Sequence, residues 1–368
     1  MKPTHFKTTT NQKIPLPVFF PDATQAVVKS LDTIDIKKTK TPGILVNTYH
    51  LYLNIGKTIL ISHKGIANFM SWDKAVISDS GGFQVMSIAK KQSKNSTTDK
   101  GVRFKPPNKK SILFTPEDSI SFQMLLRPDM VVVLDDFTTQ TDSYQTAKQT
   151  VKRTIDWAVR SKIQFEKIIK QQKLPKSKTP YLLAIVQGGE YLDLREYCTR
   201  QLVKIGFDGL GYGGWPIDKN GKFNYRVAKL IADITPDNYL LYGLGIGKPE
   251  EIVGCAKLGY HIFDCVLPTR DARHKRLYLY NTPSIDKINI NDPNFYSYYI
   301  PDQQKHYHDS SPISTACDCT LCKNYSRSYL AHLFRIKEFT AGRLASIHNL
   351  RFYSILMEKL QQNPNFNC

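Results

Sequence analysis

Seven short apolar runs punctuate the chain, and each stops at a polar or glycine-rich cluster. They are GILVNTYHL (43–51), AVISDSGG (75–82), MVVVLDD (130–136), YLLAIVQGG (181–189), FDGLGYGG (207–214), YLLYGLGIG (239–247) and YHIFDCVLPTR (260–270). Their length, β-branched content and flanking glycines predict strands buried on both faces, as in a parallel sheet. Helical patterns lie between them, the longest being YQTAKQTVKRTIDWAVRSKIQFEKII (144–169). TPED (115–118) reads as a helix start, with Thr115 as N-cap, Pro116 in the first helical position and Asp118 three residues in. This alternation predicts an α/β fold, either a (β/α)8 TIM barrel or a doubly wound open sheet. The barrel is preferred because functional-looking residues end almost every run, and barrels collect their sites at the C-terminal mouth. Two segments interrupt the rhythm: residues 86–114, basic and expected to form an inserted hairpin, and KLPKSKTP (173–180), a polar loop.

Composition narrows the class. The 368 residues suffice for one large domain or two ordinary ones, and 51 basic against 32 acidic residues give a formal charge of +19. That excess points to an anionic partner, nucleic acid first, although a general lysine bias would produce it too. No apolar stretch approaches the roughly 18 residues of a membrane span. The opening MKPTHFKTTTNQKIPLPVFF has no signal-peptide core. Seven cysteines, three of them crowded into CDCTLC, favour a reducing, cytoplasmic setting and metal binding over disulfides.

Cys317, Cys319 and Cys322, with His348 twenty-six residues further on, supply the three thiolates and one imidazole of a tetrahedral structural zinc site. His332 in the same helical stretch is a competing ligand. The expected organisation is a barrel over residues 1–300, carrying the 86–114 insertion, and a zinc-binding subdomain with C-terminal helices over 301–368.

Two carboxylates stand out. AVISDSGGFQV (75–85) ends an apolar strand on Asp79, and FDCVLPTRDAR (263–273) places Asp264 inside one. A buried carboxylate is costly unless it is paired, hydrogen-bonded or used. Two carboxylates facing a sugar can do nucleophilic and acid/base work on a glycosidic bond. Metal hydrolases and aldolases also put carboxylates at barrel mouths. Asp135 with Asp136 could equally cap a helix or hold magnesium.

SDSGGFQVMS, FDCVLPTR, GLGIGKPEE, VNTYHLYL and CDCTLC…IHNL occur in order from about residue 43 to 350. Together they resemble the tRNA-guanine transglycosylase, or queuine tRNA-ribosyltransferase, family. That resemblance implies a TIM barrel with a zinc subdomain, acting as a homodimeric pentosyltransferase that exchanges guanine at the tRNA wobble position for a 7-deazaguanine. It implies Asp264 as nucleophile and Asp79 as general acid/base. Ser80, Gly81, Gly82, Phe83, Asp135, Gln187, Gly214, Trp215 and Tyr242 are implied around the base: glycines for close approach, Phe83 for stacking, Tyr242 as the opposing wall. Gly245, Ile246, Gly247, Lys248, Pro249, Glu250 and Glu251, with Thr269, Arg270, Asp271, Ala272 and Arg273, match RNA-contacting loops. The chain departs from the pattern at Phe137, where bacterial members usually have cysteine, at GGWPIDK (213–219) in place of GGLAVGE-like loops, and at RHK (273–275) in place of RNG. These departures bear on the incoming base: queuine, its precursor or an archaeosine precursor. Rival readings are a non-catalytic partner subunit, a metal-dependent hydrolase, and a transglycosylase acting on DNA.

Overall fold

The computed structural model describes residues 2–92, 96–106, 110–139, 141–218 and 220–363. Lys219, which closes the GGWPIDK segment, lies outside them. Eight parallel strands form one sheet: β1 (Val18–Pro21), β2 (Gly43–Asn47), β3 (Ala75–Asp79), β4 (Met130–Val132), β5 (Tyr181–Val186), β6 (Gly209–Tyr212), β7 (Leu240–Gly243) and β8 (Ile262–Cys265). From β2 onward each pairs with the next in sequence, β8 pairs with β1, and a single parallel bridge from Asp22, just after β1, to Leu45 in β2 spans the remaining gap. The ring closes, which excludes the open doubly wound sheet.

The period-two alternation of a strand sorts side chains into two cores. Val18, Phe20, Leu45, Ala75, Ile77, Met130, Val132, Leu183, Ile185, Leu240, Tyr242 and Ile262 pack together inside the ring. Phe19, Ile44, Val46, Val76, Val131, Leu182, Ala184, Leu210, Leu241 and Phe263 pack outward in the core shared with the helices. An antiparallel hairpin, His5–Lys7 with Lys13–Pro15, adds Phe6 and Ile14 to the inner core and closes the N-terminal end.

Three expectations need correction. The first barrel strand was not among the seven runs. It holds four residues between Pro17 and Asp22, too short and proline-flanked to register as a strand. The insertion is not a hairpin: a helix runs to Gln92, and a three-stranded antiparallel sheet follows (Thr97–Thr98, Gly101–Phe104, Ile112–Phe114). The last run is strand only through Cys265, because Pro268 opens a helix over Leu267–Arg273. The long helix forms as expected over Tyr144–Gln172, and Thr115 and Asp118 make a reciprocal capping box.

Helix Phe339–Gln362 lies against the barrel's own flank. Asn349 donates to the Pro268 and Arg276 carbonyls, and the Tyr353 hydroxyl donates to the Gly247 carbonyl. Arg351 is buried between Asp318 and Glu358. Among the described residues no helix is long and apolar enough to cross a membrane.

Candidate active site and metal centre

Because all eight strands are parallel, their C-terminal ends share one mouth. Seven strands deliver a polar side chain to it: Asp22 just after β1, Asn47 ending β2, Asp79 ending β3, Asp135 beyond β4, Gln187 beyond β5, Tyr242 in β7 and Asp264 in β8. β6 supplies backbone instead. A Cβ at Gly213 would lie 2.6 Å from the Gln187 amide nitrogen, so glycine there makes room for that side chain.

Asp264 and Asp79 are held differently. On Asp264 both hydrogen bonds converge on Oδ1, from the Tyr242 hydroxyl (2.6 Å) and the Gly245 amide (3.0 Å). Oδ2 has no hydrogen-bond partner among the described residues. Burial pushes this carboxyl up to about 7 despite those donors, and the charges of Asp22 and Asp79 add to the rise. On Asp79, Asn47 donates to Oδ2 at 2.7 Å, while the same amide reaches Gln84 at 3.0 Å. Burial, then Asp135 and Asp22, push Asp79 up to about 7 as well. Asp79 acts on Asp264 and Asp22 acts on both, which places the two carboxylates in one electrostatic neighbourhood, although they stand on different strands.

Asp135 accepts from the Gln187 amide at 2.5 Å, and the Gln187 carbonyl accepts from the Thr138 amide at 3.2 Å. Burial raises Asp135 to about 6. Asp136 turns away to pair with Arg153, so the two adjacent acids do not converge. Phe83 and Trp215, 45% and 50% exposed, stand edge-on 6.1 Å apart, and Phe137 packs against Phe83 at 5.1 Å. Gly81 has φ +78°, and a Cβ there would lie 2.6 Å from the Tyr49 amide nitrogen; a Cβ on Gly82 would lie 2.9 Å from Leu134. The close approach these glycines allow is therefore to protein. Ser80 is buried, and its hydroxyl accepts from the Gly82 amide.

Away from the mouth, Cys317, Cys319, Cys322 and His348 are buried with their ligand atoms within 4.8 Å of one another. His348 Nδ1 lies 3.2 Å from the Cys322 sulfur and 3.7 Å from that of Cys319. Its Nε2 lies 2.8 Å from the Tyr278 carbonyl. That contact places the ring hydrogen on Nε2 and leaves the Nδ1 lone pair facing the thiols, the orientation a metal ligand needs. His332 is exposed and outside the cluster.

The sequence matches the family described as queuine tRNA-ribosyltransferase over residues 4–363. It is 37% identical over 347 residues to the queuine tRNA-ribosyltransferase of Blochmanniella pennsylvanica (strain BPEN), covering 94% of this chain and 87% of that one. It is 36% identical over 346 residues to the Shewanella sp. (strain W3-18-1) enzyme of the same name, with coverages of 94% and 86%. The chain belongs to the queuine tRNA-ribosyltransferase family.

In this member of the family, the loops expected to contact RNA divide into exposed and structural positions. Gly245, Lys248 and Glu250 are exposed; Ile246, Gly247, Pro249 and Glu251 are buried. Lys248 pairs with Glu251 at 3.1 Å, and Glu250 accepts from the Tyr296 hydroxyl at 2.6 Å. Thr269, Asp271 and Ala272 are buried, with Asp271 taking the Tyr278 hydroxyl at 2.5 Å and Arg276 at 3.0 Å. Arg270 is exposed. Arg273 is half-buried, and its Nη1 is buried with no hydrogen-bond partner among the described residues.

Three residues at this family member's mouth carried no role in the sequence reading: Asp22, Asn47 and Gln84. Parity along β1 would have exposed Asp22 had the strand itself been recognised. Asn47 stood within the VNTYHLYL motif, where an asparagine before a helix reads first as an N-cap. It is one, accepting from the His50 amide, but its amide nitrogen also holds Asp79.

Proposed function

We propose that this chain exchanges guanine at the wobble position of tRNA for a 7-deazaguanine, queuine or its precursor, through a covalent ribosyl-aspartate intermediate. The supporting observation is the pair of carboxylates on β3 and β8, both raised to about 7 at one mouth. Two acids poised there can share one proton at neutral pH, so that one attacks while the other donates.

Asp264 Oδ2 attacks C1′ of the ribose as the C1′–N9 bond breaks, and protonated Asp79 gives its proton to the departing guanine. The incoming base then loses a proton to Asp79, attacks C1′ and releases Asp264. Two displacements retain the configuration and leave the RNA chain uncut. The Tyr242 hydroxyl and Gly245 amide hold the non-attacking oxygen and orient the other. Asp135 and Gln187 contact the hydrogen-bonding edge of the base, the Gly214 backbone completes that edge, and Phe83 and Trp215 flank the flipped ring. The unpartnered Arg273 nitrogen, with Arg270 and Lys248, takes backbone phosphates, in keeping with the net charge of +19.

Cys317, Cys319, Cys322 and His348 would hold one zinc ion. Four protein ligands leave no open position, so that ion is structural. The same reading divides the chain into a catalytic barrel (1–300) and a zinc-binding subdomain (301–368), and makes the protein a cytoplasmic homodimer.

The test uses the full chain with a synthetic anticodon stem–loop carrying radiolabelled guanine at the exchanged position. Adding a 7-deazaguanine should release label, and a denaturing gel should show an RNA–protein band that Asp264→Ala abolishes. Release without any band, or a band that survives in Asp264→Ala, overturns the assignment of the nucleophile. Absence of release overturns the exchange itself.

A further inference from the structure

The mouth holds a carboxylate that the exchange reaction, as just described, does not use. Asp22 follows β1 directly and continues the alternation of Val18 and Phe20, which point into the barrel. The same alternation puts Asp79 after Ala75 and Ile77, and Asp264 after Ile262. Asp22 therefore belongs to the inward set, on the strand next to the one bearing Asp264. Its charge acts on Asp264, Asp79, Tyr242 and Arg273, which puts it within reach of the reacting centre from several sides. Its hydrogen bonds come from Thr24 alone among the described residues. Among the described residues no salt bridge reaches it; burial raises its carboxyl, while the Thr24 hydrogen bonds and the charges of His50 and Lys29 favour the ionised form. An ionised carboxylate can only accept hydrogen bonds, so its partner at the mouth must be a donor.

The chemistry of the substrate identifies that donor. In a β-ribonucleoside the base stands on one face of the sugar, and the 2′- and 3′-hydroxyls stand on the other. A nucleophile displacing the base approaches C1′ from the hydroxyl face. The hydroxyl nearest C1′ is the 2′-OH, one carbon away. Of the two strands beside that of Asp264, one carries the Tyr242 hydroxyl, already donated to Asp264, and the other leads to Asp22, whose carboxylate can accept from that hydroxyl.

We propose that Asp22 accepts a hydrogen bond from the 2′-hydroxyl of the reacting ribose and thereby makes this site select RNA over DNA. The inference rests on the exchange reading and adds its sugar specificity. The 2′-OH is the group by which a protein separates RNA from DNA at a single position. Contacts to the equivalent hydroxyl in glycoside hydrolysis strengthen as positive charge develops at the anomeric carbon, so the effect should fall on kcat more than on KM.

The test compares two anticodon stem–loops that differ only in ribose or 2′-deoxyribose at the exchanged guanosine, with wild-type chain, Asp22→Ala and Asp22→Asn. The wild type should prefer the ribose substrate by about 10- to 100-fold in kcat/KM, the scale of one hydrogen bond to a charged group. Asp22→Ala should bring the ratio close to one; any change it makes to the Asp79 and Asp264 carboxyls, which its charge pushes up, is common to both substrates and cancels in the ratio. Asp22→Asn, whose amide oxygen accepts more weakly, should fall between. A wild-type ratio near one, or a ratio unchanged in Asp22→Ala, overturns the proposal. If circular dichroism shows Asp22→Ala unfolded, Asp22→Asn decides in its place. Wild-type chain that exchanges neither substrate overturns the transglycosylase reading, an outcome distinct from exchange with an unaltered ratio.

Discussion

The barrel mouth and the cysteine–histidine cluster both bury polar groups, and they treat them in opposite ways. At the cluster every group has a complementary neighbour: the thiols converge with an imidazole whose far nitrogen is anchored on a backbone carbonyl. Beside it, Arg351 is matched by Asp318 and Glu358. At the mouth, like charges are gathered. Asp79, Asp264 and Asp135 are all raised well above the ordinary carboxylate range, with burial as the leading cause. A region built for stability pairs its buried groups; one built for chemistry keeps them in tension. Damage to the first should cost folding, and damage to the second should cost turnover while leaving folding intact or improved.

The largest effect is expected at the cluster. Structural zinc contributes about 10–16 kcal/mol in small domains that depend on it, and here it would tie helix Phe339–Gln362 to the turn carrying the cysteines. Cys322→Ser should reduce metal content from one zinc per chain and cost several kcal/mol of that total, read as an earlier unfolding midpoint. Prolonged chelation of the wild type should do the same. Metal-free chain that unfolds like the untreated protein would place the cluster outside the folding core.

The mouth should respond the other way. Asp79→Asn should slow exchange by about 10²- to 10⁴-fold, the usual reach of a positioned acid/base. It should also stabilise the fold at alkaline pH. The folded-state pKa of Asp79 is raised from 3.8 to about 7, so the native state binds the extra proton between those values. The cost of holding the carboxyl charged is absent below about pH 4 and complete above about pH 7. Removing it should gain about 1–2 kcal/mol at pH 8, less than full linkage because the side chain keeps some solvent contact, and nothing near pH 4. Denaturant melts at both pH values check this. A variant less stable at pH 8 than wild type would remove the contrast between the two regions.

That contrast was partly legible in the sequence, for a physical reason. Asp79 and Asp264 interrupt apolar runs, and CDCTLC concentrates ligands within six residues. Both signals are local, so adjacency along the chain suffices to see them. What escaped depends on which strands come to lie side by side. Asp22 stands out only once Val18–Pro21 is recognised as a strand, and four residues beside prolines carry too little periodicity for that. The hold of Asn47 on Asp79 exists only because β2 and β3 pair with these two residues opposite each other. The Thr97–Thr98 strand is two residues long and has meaning only beside its partner, which is why the insertion read as a hairpin.

The smallest effect is the most diagnostic of how the mouth is tuned. Tyr242 is buried in the inner core, and its hydroxyl donates to Asp264 Oδ1 at 2.6 Å. Tyr242→Phe keeps the ring and its packing, and the Gly245 amide still donates to the same oxygen, so the fold should hold within about 1 kcal/mol. The lost bond is one that lowers the Asp264 pKa, which burial has already pushed up to about 7. Its loss should move that value upward by about one unit, the scale of one charge-assisted hydrogen bond. The acid limb of the exchange profile then shifts to higher pH by the same amount. At pH 7 the variant should run several-fold slower, because less of Asp264 is ionised, and near pH 9 it should approach wild type, because both are then fully ionised. A purely structural tyrosine would lower the rate equally at every pH. A parallel loss across the profile would therefore show that Tyr242 packs beside Asp264 without setting its charge.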